Sequence, residues 1–234
     1  VSEQAAPAPP IMAMYRALVG IGMLCGMLIA VVFTTTAPII ERNRSEALER
    51  AVFDVLPTAT QRRTYRIDLF GDLVPVREGD DTPAAEQLHA GFDANGTLVG
   101  FAIEASGMGY ADRITLLYGY SPAGEAIVGI RVLASKETPG LGDRIENDAD
   151  FLANFEALDA RLNTARTAPA NRIVTVKHGQ KTQPWEIDGI TGATVSSKAV
   201  GEILGASTDR WLAKMHDRWQ QLTPAEDRNE ARTP

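Results

Sequence analysis

A threonine hydroxyl held at the start of a helix is a group that can carry an ester. Asp188-Gly-Ile-Thr-Gly-Ala-Thr194, followed by Val195-Ser-Ser-Lys198 and a long helical pattern, sets two such hydroxyls, Thr191 and Thr194, on either side of Gly192 and Ala193. Small residues at 192 and 193 let a bulky group approach the backbone. The first N–H groups of a helix, at the positive end of its dipole, favour a phosphate. The residues alone leave two readings open: a threonine capping the helix, a routine role for that side chain, or Thr194 bearing a phosphate-linked group. Lys198, one turn beyond Thr194, can offset the charge of such a linkage or simply be solvated.

A second segment has a shape suited to a flat ligand. Glu137-Thr-Pro-Gly-Leu-Gly142 follows a predicted strand. Pro139 drives Thr138 toward extended backbone, and Gly140 and Gly142, on either side of Leu141, permit the positive φ angles of a tight loop. Such a loop can lie against a planar ring, or be an ordinary turn between strand and helix.

Taken together and in this order, the two segments resemble those of the covalent FMN-binding domain family, whose Asp-x-x-(Ser/Thr)-Gly-Ala-Thr motif occurs in the G subunit of the Rnf electron-transport complex and the C subunit of the sodium-pumping quinone reductase. The resemblance covers most of the chain. It implies flavin mononucleotide (FMN) joined by a phosphodiester to Thr194, not Thr191, by a separate Mg-dependent flavin transferase that uses FAD. It further implies flavin contacts from Thr138, Gly140, Leu141 and Gly142, with Asp188 serving transferase recognition or the local fold; the small residues Gly192 and Ala193 and the charge of Lys198 are added as cofactor-binding candidates on their own chemistry. No independent substrate turnover is expected: the chain is an electron relay inside a complex that moves electrons between ferredoxin and NAD while transporting sodium ions or protons. The implied partners are iron–sulfur subunits, a second covalent-flavin membrane subunit and polytopic subunits. The quinone-reductase C subunit is the nearer alternative, and a membrane-anchored binding or assembly module without flavin the more distant one.

The elements that must position these segments can be read from patterning. Ala17 to Ile40 contains no charged residue, and at 1.5 Å per residue such a run crosses a hydrocarbon core of roughly 30 Å. Its length, and Pro38 after the small residues Thr35-Thr-Ala37, favour a retained anchor over a cleaved signal peptide. The expected organisation is a tail at 1–15, a transmembrane helix at 16–40, a linking helix at 41–62 with Leu48, Val52, Phe53 and Leu56 on one side, an FMN-binding domain at 63–222 and a tail at 223–234. Within the domain, alternating runs at Thr64–Val76, Leu98–Ala105, Ile114–Tyr120 and Ala126–Leu133 predict strands, the last two forming a hairpin about Ser121-Pro-Ala-Gly124. Asp93-Ala-Asn-Gly96 is a turn, and 79–86 a charged loop. Asp148–Leu158 and Ser196–Leu222 have helical spacing, while Arg172–His178 and Trp185–Ile187 return to strand character. Short turns between the elements predict an α+β fold: one transmembrane helix, then an antiparallel sheet with packed helices.

Composition narrows the function. Residues 1–40 hold only Glu3 and Arg16, so the net charge of −7 belongs to the remainder, and an acidic surface without a basic patch argues against nucleic acid as a partner. His89, His178 and His216 are scattered and Cys25 lies alone in the apolar run, so no metal site is expected. Trp211 and Trp219, two turns apart, are expected to pack rather than stack on a cofactor. Membrane orientation divides the signals. Arg42, Arg44 and Arg50 after the span, against Arg16 before it, place the C-terminal side in the cytoplasm, whereas the resemblance implies a single-pass protein of the bacterial inner membrane with its flavin domain in the periplasm.

Overall fold

The computed structural model describes residues 11–67, 72–76, 86–216, 218 and 222. Most of the expected charged loop, Trp219, residues 1–10 of the expected N-terminal tail and all of the C-terminal tail at 223–234 lie outside the described residues, while 11–15 of the N-terminal tail belong to the first helix. The chain divides into two compact units, Val1–Ala47 and Leu48–Pro234.

The first unit is helical. Helix α1, Ile11–Val55, runs without interruption through the stretch around position 40, with Pro38 inside it. Apolar side chains point outward all round it, Leu18, Ile21, Met23, Ile29 and Phe33 among them, each more than half exposed. A helix apolar on every side has no face to offer water. Over this stretch it is long and apolar enough to cross a membrane. The hydroxyls of Thr34, Thr35 and Thr36 turn back onto the carbonyls of Ala30, Val31 and Val32, at 2.9, 2.8 and 2.7 Å. That satisfies them where solvent is absent.

The second unit is built on a seven-stranded sheet. Its strands are β1 (Gln61–Ile67), β2 (Leu73–Pro75), β3 (Gln87–Phe92), β4 (Leu98–Met108), β5 (Arg113–Ser121), β6 (Ala126–Ala134) and β7 (Leu158–Asp159), in the order β2-β1-β3-β4-β5-β6-β7 and antiparallel throughout. Strand β5 shows why both faces are covered: Ile114, Leu116 and Tyr118 enter one core cluster, and Leu117 the other. That alternation is the pleat's period of two. The smaller cluster is made by Ala51, Val52, Val55 and Leu56 against Ala102 and Leu117. A Cβ on Gly119 would stand 2.2 Å from the Val55 carbonyl oxygen, so only glycine lets the chain lie that close to the sheet.

The larger cluster is capped by α3, Thr194–His216, whose Val200, Ile203, Leu204, Trp211, Leu212 and Met215 recur at helical spacing and are buried. Two short strands, β8 (Val174–Val176) and β9 (Glu186–Asp188), pair in parallel outside the main sheet, a departure from the purely antiparallel reading. Helix α3 packs on β4 and β8.

One expected helix is much shorter than its pattern. Asp148–Leu158 yields only α2, Ala149–Ala153, after a 3₁₀ turn at Gly142–Glu146, and Leu158 lies in β7. Asn154 ends the helix: its Nδ2 donates to the carbonyls of Asp150, Phe151 and Asp188, so it bonds backward and across instead of letting the helix continue. Phe151, Phe155 and Leu158 are buried all the same, which is why their spacing imitates a longer helix.

Candidate functional site

Ile190 to Ala193 form a β-turn, the Ala193 N–H donating to the Ile190 carbonyl at 3.1 Å, with Gly192 at its third position and φ +87°. That angle favours glycine. The first α-helical bond follows at once, from the Ser197 N–H to the Ala193 carbonyl at 2.9 Å. The amides of Thr194, Val195 and Ser196 therefore precede it, at the positive end of a 23-residue helix.

The capping reading of the threonines fails on geometry. Among the described residues, neither the Thr191 nor the Thr194 hydroxyl makes a hydrogen bond; Ser197 organises the turn instead. Its Oγ accepts from the Ile190 N–H at 3.1 Å and donates to the Ala193 carbonyl at 2.9 Å. Thr194 is exposed.

The second segment comes to the same place. After β6 the chain turns at Thr138, whose carbonyl accepts from the Leu141 N–H at 3.1 Å, with Gly140 at φ +75°. The two segments enclose an open cavity of about 340 Å³, which Thr138, Leu141, Gly142, Gly192, Ala193 and Thr194 line in company with Tyr110, Glu137, Val195 and Ser196. Gly140 and Lys198 are exposed and do not line it.

Patterning did not single out the residues that join the two segments. Glu137 is buried on the cavity wall, where its Oε1 accepts from the Ala111 N–H at 3.0 Å and its Oε2 from the Ser196 hydroxyl. Burial pushes this carboxyl up. The Ser196 hydroxyl and the N–H groups of Ala111, Tyr110 and Asp112 outweigh it and hold the group below the usual carboxylate range. Arg144 is the other link: its guanidinium donates to the Thr191 carbonyl at 3.0 Å and to Asp148 Oδ2 at 2.5 Å. Asp148 in turn caps α2 through Phe151, the bond that first lowers its pKa, with Arg144 adding to it against burial. The only sequence signal for either link was the presence of a charged residue within or beside a glycine-rich loop.

Asp188 has a structural place. Its carboxylate accepts from the Gly179 N–H at 2.7 Å and lies 3.3 Å from His178 Nδ1, while its N–H donates to Asn154 Oδ1 at 3.0 Å. The three histidines are apart. Buried His89 bonds Thr64 at 3.0 Å, and burial, reinforced by Arg62, lowers its pKa to about 4. His216 lies 3.5 Å from Arg166. Among the described residues no three His, Cys, Asp or Glu side chains gather as a metal site would require.

The cavity fits a flavin nucleotide by its parts. Its volume falls within the roughly 300–1,000 Å³ of small-ligand clefts. A helix start meets the needs of a phosphate, Leu141 and Val195 offer exposed apolar surface, and a Cβ on Gly140 or Gly192 would meet nothing within 4 Å. Residues 109–207, which hold both segments, match the model of the FMN-binding domain, and that domain defines the class of the protein.

Relatives along most of the length narrow the class. The chain is 28% identical over 192 residues to the G subunit of the ion-translocating oxidoreductase complex of Methanosarcina acetivorans, covering 82% of this chain and 89% of that protein. It is 32% identical over 188 residues to the protein of the same name from Pseudomonas aeruginosa, covering 79% and 78%. It therefore belongs to the family of G subunits of ion-translocating oxidoreductase complexes. The crystal structure of Shewanella oneidensis NqrC superposes with a TM-score of 0.53 at 16% identity, over 82% of this chain and 99% of that one, and shares its fold.

Proposed function

We propose that this chain is the electron-carrying subunit of a membrane-bound, ion-translocating ferredoxin:NAD oxidoreductase, and that it holds FMN covalently through a phosphodiester at Thr194 Oγ1. One observation carries the reading. Of the two threonines in the motif, Thr194 alone both lines the cavity and opens α3, with its hydroxyl making no hydrogen bond among the described residues.

The chain's own contribution is placement. The unpaired amides of the first turn of α3 would receive the phosphate, and Thr138, Leu141, Gly142, Gly192 and Ala193, which line the cavity, would hold the flavin. Gly140 shapes the loop through its positive φ, and Lys198 lies one turn from the linkage and offsets its charge. The flavin, when bound, supplies the redox chemistry. The Thr194 hydroxyl makes no hydrogen bond to a base among the described residues, and attachment falls to a separate transferase: the hydroxyl oxygen takes the FMN phosphate from FAD, giving up its proton, and AMP leaves. A covalent bond suits an open cavity, from which a loosely held cofactor escapes.

The apolar stretch of α1 anchors the chain in the bacterial inner membrane, and the flavin domain faces the periplasm. Its partners are the other subunits of the complex: iron–sulfur proteins, a second covalent-flavin subunit and polytopic subunits. The family names of the relatives favour this complex over a quinone reductase, since the likeness to NqrC is one of fold.

Coexpression with a flavin transferase, followed by denaturing electrophoresis, tests the attachment. Flavin fluorescence travels with the wild-type chain and with Thr191→Ala, and is absent from Thr194→Ala; label that persists in Thr194→Ala refutes the assignment.

A further inference from the structure

A carboxylate with no cation beside it stands in the wall of the cavity. Glu137 is only 5% exposed. Its partners are the Ser196 hydroxyl and backbone N–H groups. Among the described residues no Lys, Arg or His forms an ion pair with it, and neighbouring Lys136 is engaged with Asp112 at 2.9 Å. The place is also built for it. A Cβ on Gly109 would come 2.4 Å from Glu137 Oε1, and a Cβ on Gly142 2.6 Å from Oε2, so two glycines keep the space that the carboxylate fills.

A latch between the loop after β4 and the start of α3 would account for the hydrogen bonds but not for the charge. A neutral amide of the same shape can keep the Ala111 N–H on its oxygen and donate to the Ser196 hydroxyl from its nitrogen. Burying an ionised group without a counter-charge is the more expensive choice, and the hydrogen-bond donors here keep the group ionised. What Glu137 adds beyond a latch is a fixed negative charge.

We infer that Glu137 tunes the bound flavin, its carboxylate in the cavity wall holding the redox potential at a more negative value than a neutral side chain would. The inference rests on the assignment of FMN to Thr194. In each one-electron step the donor loses an electron and the flavin gains it, along with one unit of negative charge before any proton follows; a like charge nearby and out of water opposes that gain. A relay set this way passes its electron onward readily instead of storing it.

The test uses the full chain, coexpressed with flavin transferase, as wild type, Glu137→Gln and Glu137→Asp. Mass spectrometry of the peptide containing Thr194 first establishes the label, and the flavin is then titrated anaerobically with dithionite against redox dyes. Glu137→Gln shifts the one-electron equilibrium with the dye about tenfold toward reduced flavin, which is about 59 mV, whereas Glu137→Asp, which keeps the charge, stays within about threefold of wild type. A labelled Glu137→Gln chain with the wild-type potential overturns the inference and leaves the FMN assignment standing, as does an equal shift in both variants. A wild-type chain without label overturns both. Should Glu137→Gln fail to fold, reduced-minus-oxidised infrared spectra of the wild-type chain decide: a glutamate carboxylate band, shifted by carbon-13 glutamate and displaced in Ser196→Ala, is expected, and its absence overturns the inference.

Discussion

The two ends of α3 open onto cavities of opposite character. At its start, no acidic residue of the helix itself stands in the first turn, the cavity is about 340 Å³, and the Glu137 carboxylate on its wall has no cation among the described residues. At its end, Lys214 and His216 occupy the last turn, where they complement the negative pole of the dipole. The cavity there is larger, about 510 Å³, and its charges are matched: Arg166 meets Glu125 at 2.6 Å. Tyr120, on the same wall, is pushed up to about 12, first by burial and then by Glu125, with Arg166 pulling the other way. Volume alone would choose the far end. The proposed flavin site is instead at the end whose wall carries a carboxylate without an ion pair among the described residues.

The contrast can be broken most directly at the hydroxyl. Thr194→Ala loses all covalent flavin, while Arg166→Ala at the far end keeps wild-type labelling; equal labelling of the two would erase the distinction. Next come the glycines. Gly142→Ala forces a Cβ against the Glu137 carboxylate and the Ser196 hydroxyl, at 2.6 and 2.7 Å, and destabilises the domain by about 1–3 kcal/mol in urea titrations. Gly124→Ala, whose Cβ meets nothing closer than 3.8 Å, changes stability by less than about 0.5 kcal/mol.

The two arginines give a finer comparison. Arg144 and Arg166 are both partly exposed, so replacing either by alanine costs about 1 kcal/mol or less. Only Arg144→Ala slows flavin attachment in a timed transferase assay, because only Arg144 holds the turn that carries Thr194. The smallest effect lies in the acid limb. The folded pKa of Glu137 is depressed, so its contribution to stability is present above the ordinary value of 4.5 and is lost as pH falls from there through the lower folded value. As pH falls below the ordinary value of 4.5, the urea midpoint of Glu137→Gln therefore falls less steeply than that of the wild type.

Much of this was legible residue by residue. Most strands of the main sheet follow from alternation at positions such as Ile114, Leu116 and Tyr118, though β3 and the two-residue β7 were not among the expected runs, and the apolar all-round character of Leu18 to Phe33 follows from composition. The start of α3 at Thr194 follows from the glycine turn before it. The helix expected at Asp148–Leu158 misled because burial repeats at helical intervals there without continuous helical backbone, and the Asn154 side chain that interrupts it acts partly through Asp188, far along the chain. The parallel pairing of β8 with β9 was hidden for a related reason: three-residue strands carry too little alternation to declare a partner.

Sequence by itself marked the two threonine hydroxyls and the loop as candidates for chemistry, because Gly192 and Gly140 favour turns through their own backbone freedom and a helix start creates unpaired amides wherever it falls. It also determined the apolar helix, a property of composition. Tertiary structure alone decided that the loop after β6 faces the start of α3, that Ser197 and not a threonine ties the turn, and that Glu137 enters the cavity wall without a counter-ion among the described residues. Those depend on contacts such as Glu137 with Ser196, 59 positions apart, and no local pattern encodes them: the sheet and α3 must be packed before the two residues share a neighbourhood.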